Sequence, residues 1–367
     1  MVTCWFAVRS GLRLSNLSMK PHYPILDGLR GTAAILVVIF HLLEAYFPVF
    51  ANHPIHHGYL AVDFFFLLSG FVVGYAYDDR WGKMSIKDFF KIRMIRLHPL
   101  VVLSIVVGAI AFWFDPFKDP QHLVSLVKLL GAVLIGFTLL PQPDLRGWGE
   151  THSLNGPLWS LLQEYIANMI YAVFGRRMSK IVLWVIVIVS GTVLTIVANW
   201  HGDLATGWAY ETFWIAVVRM MFPFFAGLLL FRTGKLIHIP AAYVVCSLLL
   251  VLLFCLPTFK FNGIYEAACI IIAFPLIVAM GAGGRINGRW ARICKFSGAI
   301  SYPIYILHYP FIYIYTEWIY LKKPATTQIF FVASGLLVFF IILAYAGLKL
   351  YDEPVRGWLK KKMNRIS

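Results

Sequence analysis

DGLRGTAAILVVIFHLLE, residues 27–44, carries an arginine and a histidine into an otherwise apolar run, and it decides how the chain is read. Between 31 and 50 the only charged or imidazole side chains are His41 and Glu44, and about 20 residues of this kind are what a bilayer core requires of a helix. Arg30 sits at the mouth of the run. At about 1.5 Å per residue, the steps from Arg30 to His41 carry the imidazole roughly 16 Å deeper, to near mid-membrane. An ionisable group at that depth is costly, so a functional role is expected of it. The plain alternative is a histidine bonded to a neighbouring helix's carbonyl. Glu44 lies one turn on, on the same face, placed to fix the imidazole tautomer.

Composition extends this reading to the whole chain. Of 367 residues, 60% are hydrophobic and 13% charged, with a mean hydropathy of +0.75, which excludes an ordinary soluble domain and predicts an all-α polytopic membrane protein. Net charge is +15, from 32 Lys and Arg against 17 Asp and Glu. In a soluble protein that excess would point to nucleic acid; here the preference of cytoplasmic loops for Lys and Arg accounts for most of it, and no nucleic-acid partner is expected. Cys4, Cys246, Cys255, Cys269 and Cys294 are scattered, with no CxxC and no His/Cys cluster, so neither a disulfide framework nor a metal site is inferred. Residues 1–21 read as an N-terminal arm with no apolar stretch long enough for a signal peptide, and Met19 is an alternative start.

Apolar segments fall at 31–50, 58–77, 98–114, 123–140, 158–174, 180–199, 213–231, 240–257, 264–281, 299–320 and 327–349. Loop charges test whether all of them cross. Arg9, Arg13, Lys20 and Arg30 flank the first segment, and the loop after it, ANHPIHHG, has no Lys or Arg, so the N-terminus is cytoplasmic. Arg80, Lys83, Lys87, Lys91, Arg93 and Arg96 mark the next loop as cytoplasmic too. If every later segment crossed, Arg176, Arg177 and Lys180, then Arg285, Arg289, Arg292 and Lys295, then Lys360, Lys361, Lys362 and Arg365 would all lie outside. Removing one crossing restores the rule. The expectation is therefore about ten spans, both termini cytoplasmic, and one re-entrant or interfacial segment within 123–174. Residues 22–350 read as one membrane domain and 351–367 as a basic cytoplasmic tail.

Four later stretches bring polar groups into this scaffold. In GYLAVDFFFLLSGF, 58–71, Asp63 is a carboxylate just inside the outer end of the second span, and Ser69 with Gly70 allows close helix approach. KIRMIRLHP, 91–99, sets Arg93 and Arg96 one turn apart on a helix that ends at Pro99. Two guanidiniums on one face suit a phosphorylated ligand, and positive-inside anchoring explains them equally well. NGPLWSLLQEY, 155–165, brings Trp159, Ser160 and Glu164 together, and the carboxylate reads either as a general base or as the charge partner of a histidine or arginine. SYPIYILHYP, 301–310, puts Ser301, Tyr305 and His308 on one helical face, and Arg219 with Pro223 is a further buried cation. One polar residue per helix could be bundle glue; this many, two histidines among them, imply a polar interior cavity.

In this order the stretches resemble the membrane-bound acyltransferase family 3: LDGLRG at 26–31, His41 on the first helix, FFFLLSGF at 64–71, Arg93 to Pro99, Trp159 to Glu164, and Ser301 to His308. The resemblance spans about residues 22–349. It implies about ten membrane helices, a bacterial inner-membrane location, and transfer of an acyl group, most often acetyl, from cytoplasmic acetyl-CoA to a hydroxyl of a cell-envelope or extracellular carbohydrate. Some relatives also carry a C-terminal hydrolase-like domain; none is read here, so the acceptor is expected to be handled by the membrane domain or by a separate protein. Glu44 stands outside the shared motifs, so its pairing with His41 is expected from position alone.

Such chemistry needs a base for the hydroxyl proton, a grip on a polyanionic donor, and stabilisation of a tetrahedral oxyanion. His41 is the expected base, because an imidazole titrates near neutrality. Arg30, Arg93 and Arg96, at the cytoplasmic end, are the expected donor-binding set. Glu164 and His308 are expected to position the acceptor or to support His41, and no metal is required. Donor and acceptor lie on opposite sides of the membrane, so either they meet in a through-membrane cavity or an acyl-enzyme relays the group. The competing reading is a transporter or flippase for a lipid-linked glycan, in which the buried His, Glu and Arg would be coupling groups.

Overall fold

The computed structural model describes residues 22–118 and 124–364, so the expected N-terminal arm, Met19 and Arg365 lie outside the described residues. Each apolar segment of the sequence holds a helix. In chain order these are α1 (Pro24–Glu44), α2 (Ala61–Tyr77), α3 (Ile86–Trp113), α4 (Leu126–Gly136), α5 (Leu158–Val173), α6 (Lys180–His201), α7 (Phe213–Thr233), α8 (Ala242–Cys255), α9 (Asn262–Ala268), α10 (Phe274–Gly283), α11 (Gly288–Leu307), α12 (Tyr309–Lys322), α13 (Thr326–Ala346) and α14 (Glu353–Asn364). Among the described residues no strand forms; an isolated bridge ties Glu150 to Ala209. π-Helical turns at Cys269–Ala273 and Gly347–Asp352 join α9 to α10 and α13 to α14 as continuous rods.

Among the described residues, seven stretches are long and apolar enough to cross a membrane, which makes this an all-helical membrane protein. Length and composition alone do not reach the expected count of about ten. The 11-residue α4 is about 16 Å long, roughly half a hydrocarbon core. α8 is 14 residues long, and α11 carries Arg289, Arg292 and Lys295 in its first turns.

Three boundaries differ from the sequence reading. α1 stops at Glu44 rather than near 50, because Pro48 disfavours helical backbone before it, so His41 lies in the last turn and not at mid-helix. α3 does not end at Pro99. It starts on a capping box, Ser85 with Asp88, and runs through the proline for 28 residues, since the apolar stretch beyond sustains it at the loss of one backbone bond. The 299–320 segment is two helices that meet at His308. Pro310 has no N–H for the Ile306 carbonyl, and the Asn155 side chain donates to that carbonyl instead, at 2.8 Å.

α1 is the hub. Leu29, Val37 and Phe40 face a core built with α2, α7, α8 and α10, while Ala34, Val38 and Leu42 face a second core with α11, α12 and α13. Lipid offers helices no hydrophobic drive to associate, so close contact depends on small residues. A Cβ at Gly31 or Gly298 would overlap Ser297 or Asp27, and this contact seats α1 against α11. A Cβ at Gly70 or Gly227 would strike a backbone carbonyl of the partner helix, which locks α2 to α7.

Candidate active site

α1 carries Arg30 and His41 into two different cavities. Arg30 is held on α11: its Nε donates to Ser301 Oγ at 2.8 Å and its Nη2 to the Gly298 carbonyl at 3.0 Å, with Asp27 Oδ1 at 3.1 Å. The glycine contact between α1 and α11 is what allows that reach. Near the other end of α1, His41 Nδ1 donates to Glu44 Oε2 at 2.9 Å. That bond fixes the tautomer and leaves Nε2 with its lone pair. The His41 ring stacks on His308, with centroids 5.6 Å apart, and meets Tyr309 edge-on at 4.8 Å.

The cavity beside His41 has a volume of about 480 Å³ and an aromatic wall that includes Tyr59, Trp148, Trp159, Trp208, Tyr305, Tyr309, Tyr313 and Tyr320. Two loops roof it, 137–157 and 202–212, knitted by backbone bonds from Thr151 to the Trp208 carbonyl (3.1 Å) and from Tyr210 to the Gly149 carbonyl (3.0 Å). Glu150 enters the cavity from the first loop, accepting a hydrogen bond from the Tyr313 hydroxyl. Burial pushes the Glu150 carboxyl from its ordinary 4.5 up to about 7, against the Tyr313 hydroxyl and the Arg146 charge, which favour the anion. Arg146 is itself buried, bonded to Glu317 at 2.8 Å and stacked 3.9 Å over the Tyr313 ring.

An acid whose folded-state pKa is raised costs stability when it ionises, so the roof should weaken as pH climbs from about 4.5 through about 7. Glu150→Gln stays neutral and is expected to flatten that decline. Thermal unfolding at pH 5 and pH 8 checks it, and equal pH dependence in both proteins would contradict the assignment.

The second cavity, about 540 Å³, holds Arg30, Arg93 and Arg96 together. Arg93 is buried, and its Nη2 donates to Glu164 Oε1 at 2.6 Å, to which Ser69 also donates at 3.0 Å. Glu164 thus lies in the arginine cavity as the partner of Arg93, not in the cavity of His41. Arg96 makes no hydrogen bond or ion pair with any described residue. Val62 and Tyr305 line both cavities. The Tyr305 hydroxyl is 2.7 Å from Ser160 Oγ, which in turn donates to the Pro157 carbonyl at 2.9 Å.

Other sequence candidates take supporting places. Asp63 pairs with Arg219 at 2.5 and 3.2 Å, both fully buried, and Arg219 lies 5.3 Å over Trp159 at the wall of the His41 cavity. His308 is fully buried behind His41; its Nδ1 donates to the Ile304 carbonyl at 3.0 Å, and it lines neither cavity. Sequence reading passed over the 141–154 part of the first loop. Its signal, a tryptophan and a glutamate set among glycines in GWGE, sits in what reads as a polar gap.

A helical membrane bundle with a His–Glu pair over one cavity and clustered arginines in the cavity adjoining it has the plan of a membrane-embedded group-transfer enzyme. The chain belongs to the acyltransferase family 3, whose acyltransferase domain matches residues 23–346, and it is an acyltransferase. It is 34% identical over 193 residues to protein 2 in the picA locus of Rhizobium radiobacter, covering half of this chain and 98% of that one. It is 30% identical over 167 residues to the acyltransferase MdmB of Streptomyces mycarofaciens, 43% of this chain and 40% of that one. A Staphylococcus aureus protein carrying an O-acetyltransferase name is 22% identical over 376 residues, 94% of this chain and 59% of its own length. The chain therefore spans less than two thirds of the length of the last two relatives. No solved structure matches it.

Proposed function

We propose that this acyltransferase moves an acyl group, acetyl in the simplest case, from acetyl-CoA in the arginine cavity to a carbohydrate hydroxyl in the aromatic cavity. The observation that carries this is the shared wall: two cavities of opposite chemistry meet at Val62 and Tyr305. Clustered guanidiniums suit phosphates, and an aromatic wall suits the apolar faces of a sugar ring. His41 Nε2 takes the proton from the acceptor hydroxyl, whose oxygen attacks the thioester carbonyl. The tetrahedral intermediate collapses, the C–S bond breaks, and the CoA thiolate leaves, taking up the proton that the His41 imidazolium gives back. Glu44 steadies the imidazolium, while Glu164 positions Arg93. Contiguity of the cavities favours direct transfer over an acyl-enzyme relay.

The charge distribution favours about ten spans with both termini cytoplasmic, and the family resemblance favours a bacterial inner membrane, which together put the arginine cavity on the acyl-CoA side. The short α4 is then the segment that does not cross. Purified protein in lipid nanodiscs should move label from radiolabelled acetyl-CoA to added glycan or to water. Arg96→Ala is expected to weaken acetyl-CoA binding roughly tenfold, one charge-assisted contact's worth. Absence of any acetyl-CoA binding by the unaltered protein would overturn the donor assignment.

A further inference from the structure

α14 lies beyond residues 23–346, which the family's domain covers, yet it helps to build the arginine cavity. Asp352, Arg356 and Lys360 recur every four residues, so they share one helical face, and all three line that cavity. Trp358, Lys361 and Lys362 fall on the opposite face, where Trp358 is 60% exposed and Lys362 stacks 5.3 Å from its ring. The helix is thus two-sided.

The cavity it closes has unspent donor capacity. Arg93 is 4% exposed and its Nε is buried without a partner. Neither Arg96 nor Lys360 makes a hydrogen bond or ion pair with any described residue. Asp352 accepts from Arg356 Nη1 at 2.8 Å and so aims that guanidinium without using all of its donors. Cations on three walls of one cavity, Arg96 and Lys360 among them without an ion pair to any described residue, describe a site for a multiply phosphorylated anion.

Resting on the donor reading above, we infer that α14 is the outer half of the donor site, and that Arg356 and Lys360 bind the phosphate of acyl-CoA farthest from the thioester, the 3′-phosphate. The thioester must reach Tyr305 at the inner wall, past Arg30, Arg93 and Arg96. The nucleotide end is therefore left at the rim, where Lys360 is exposed. A phosphate at that rim could also come from an anionic lipid headgroup, so the test separates the two.

Binding of acetyl-CoA and of its 3′-dephospho analogue to the full-length protein is measured by calorimetry, in nanodiscs of phosphatidylcholine with and without phosphatidylglycerol. The unaltered protein is expected to prefer acetyl-CoA by roughly tenfold, one charge-assisted contact's worth. Lys360→Ala should erase that preference, Lys360→Arg should restore it, and Lys361→Ala, on the opposite face, should keep it. Lys360 has no partner to strand, so its removal does not threaten the fold. A Lys360→Ala protein that still discriminates overturns the inference, as does an effect that follows phosphatidylglycerol rather than the 3′-phosphate. If the unaltered protein binds both donors equally, α14 alone is misassigned; if it binds neither, the donor reading falls and this inference with it.

Discussion

His41→Ala is expected to lower the rate of acyl transfer about a thousandfold while leaving acetyl-CoA binding intact. The separation is specific to this architecture, because His41 lines the aromatic cavity and the donor arginines line the other. A loss in kcat without a loss in donor affinity is what removal of a base produces; a merely structural histidine would degrade both. Glu44 gives the finer test. Its carboxylate holds Nδ1 at 2.9 Å, so Glu44→Gln keeps a hydrogen bond but removes the charge that stabilises the imidazolium. A roughly ten- to hundredfold fall in kcat is expected, with acetyl-CoA binding unchanged. Pre-steady-state label transfer in nanodiscs measures both variants. A folded His41→Ala protein with full activity would remove His41 from the chemistry.

What could be read in the sequence was what is local. His41 and Glu44 are three residues apart on one helix, so their bond follows from helical spacing, as does the shared face of Arg93 and Arg96. The apolar segments announced their helices because lipid and core impose the same long runs. Partners distant in sequence were not legible. Glu164, within an apolar run, had to have a partner, but nothing local distinguishes Arg93 from a histidine, and their sequence separation of 71 is bridged only by folding. Arg219 and Asp63 were each visible as a buried charge, and their pairing across 156 residues was not. The break at His308 was obscured because proline at the first turn of a new helix and proline inside a kinked one look alike in sequence. α14 was read as a tail because its charge masks its continuity with α13.

The buried pair of Asp63 and Arg219 should produce the largest stability effect in the molecule. Arg219 is 1% exposed and fully engaged: besides Asp63, it donates to the Thr206 carbonyl at 2.7 Å and the Tyr59 carbonyl at 3.2 Å, and it faces the Trp159 ring. It therefore ties α7 to α2, to α5 and to the loop that roofs the aromatic cavity. Asp63→Ala leaves a guanidinium buried without a counter-charge, a loss of about 3–5 kcal/mol, and the melting temperature in detergent should fall by roughly ten degrees. Replacing both partners with apolar residues, as Asp63→Leu with Arg219→Met, removes the stranded charge and should recover most of that stability. Acyl transfer should not recover with it, because Arg219 also forms part of the acceptor cavity wall. If the double variant is stable but inactive, the pair exists to place a cation and Trp159 at the acceptor. If it melts as early as Asp63→Ala, the carbonyl bonds to Thr206 and Tyr59 carry the structure and the cavity role is secondary. Stability and transfer measured on the same preparations separate these outcomes, since each variant changes the charge of the pair in a different way.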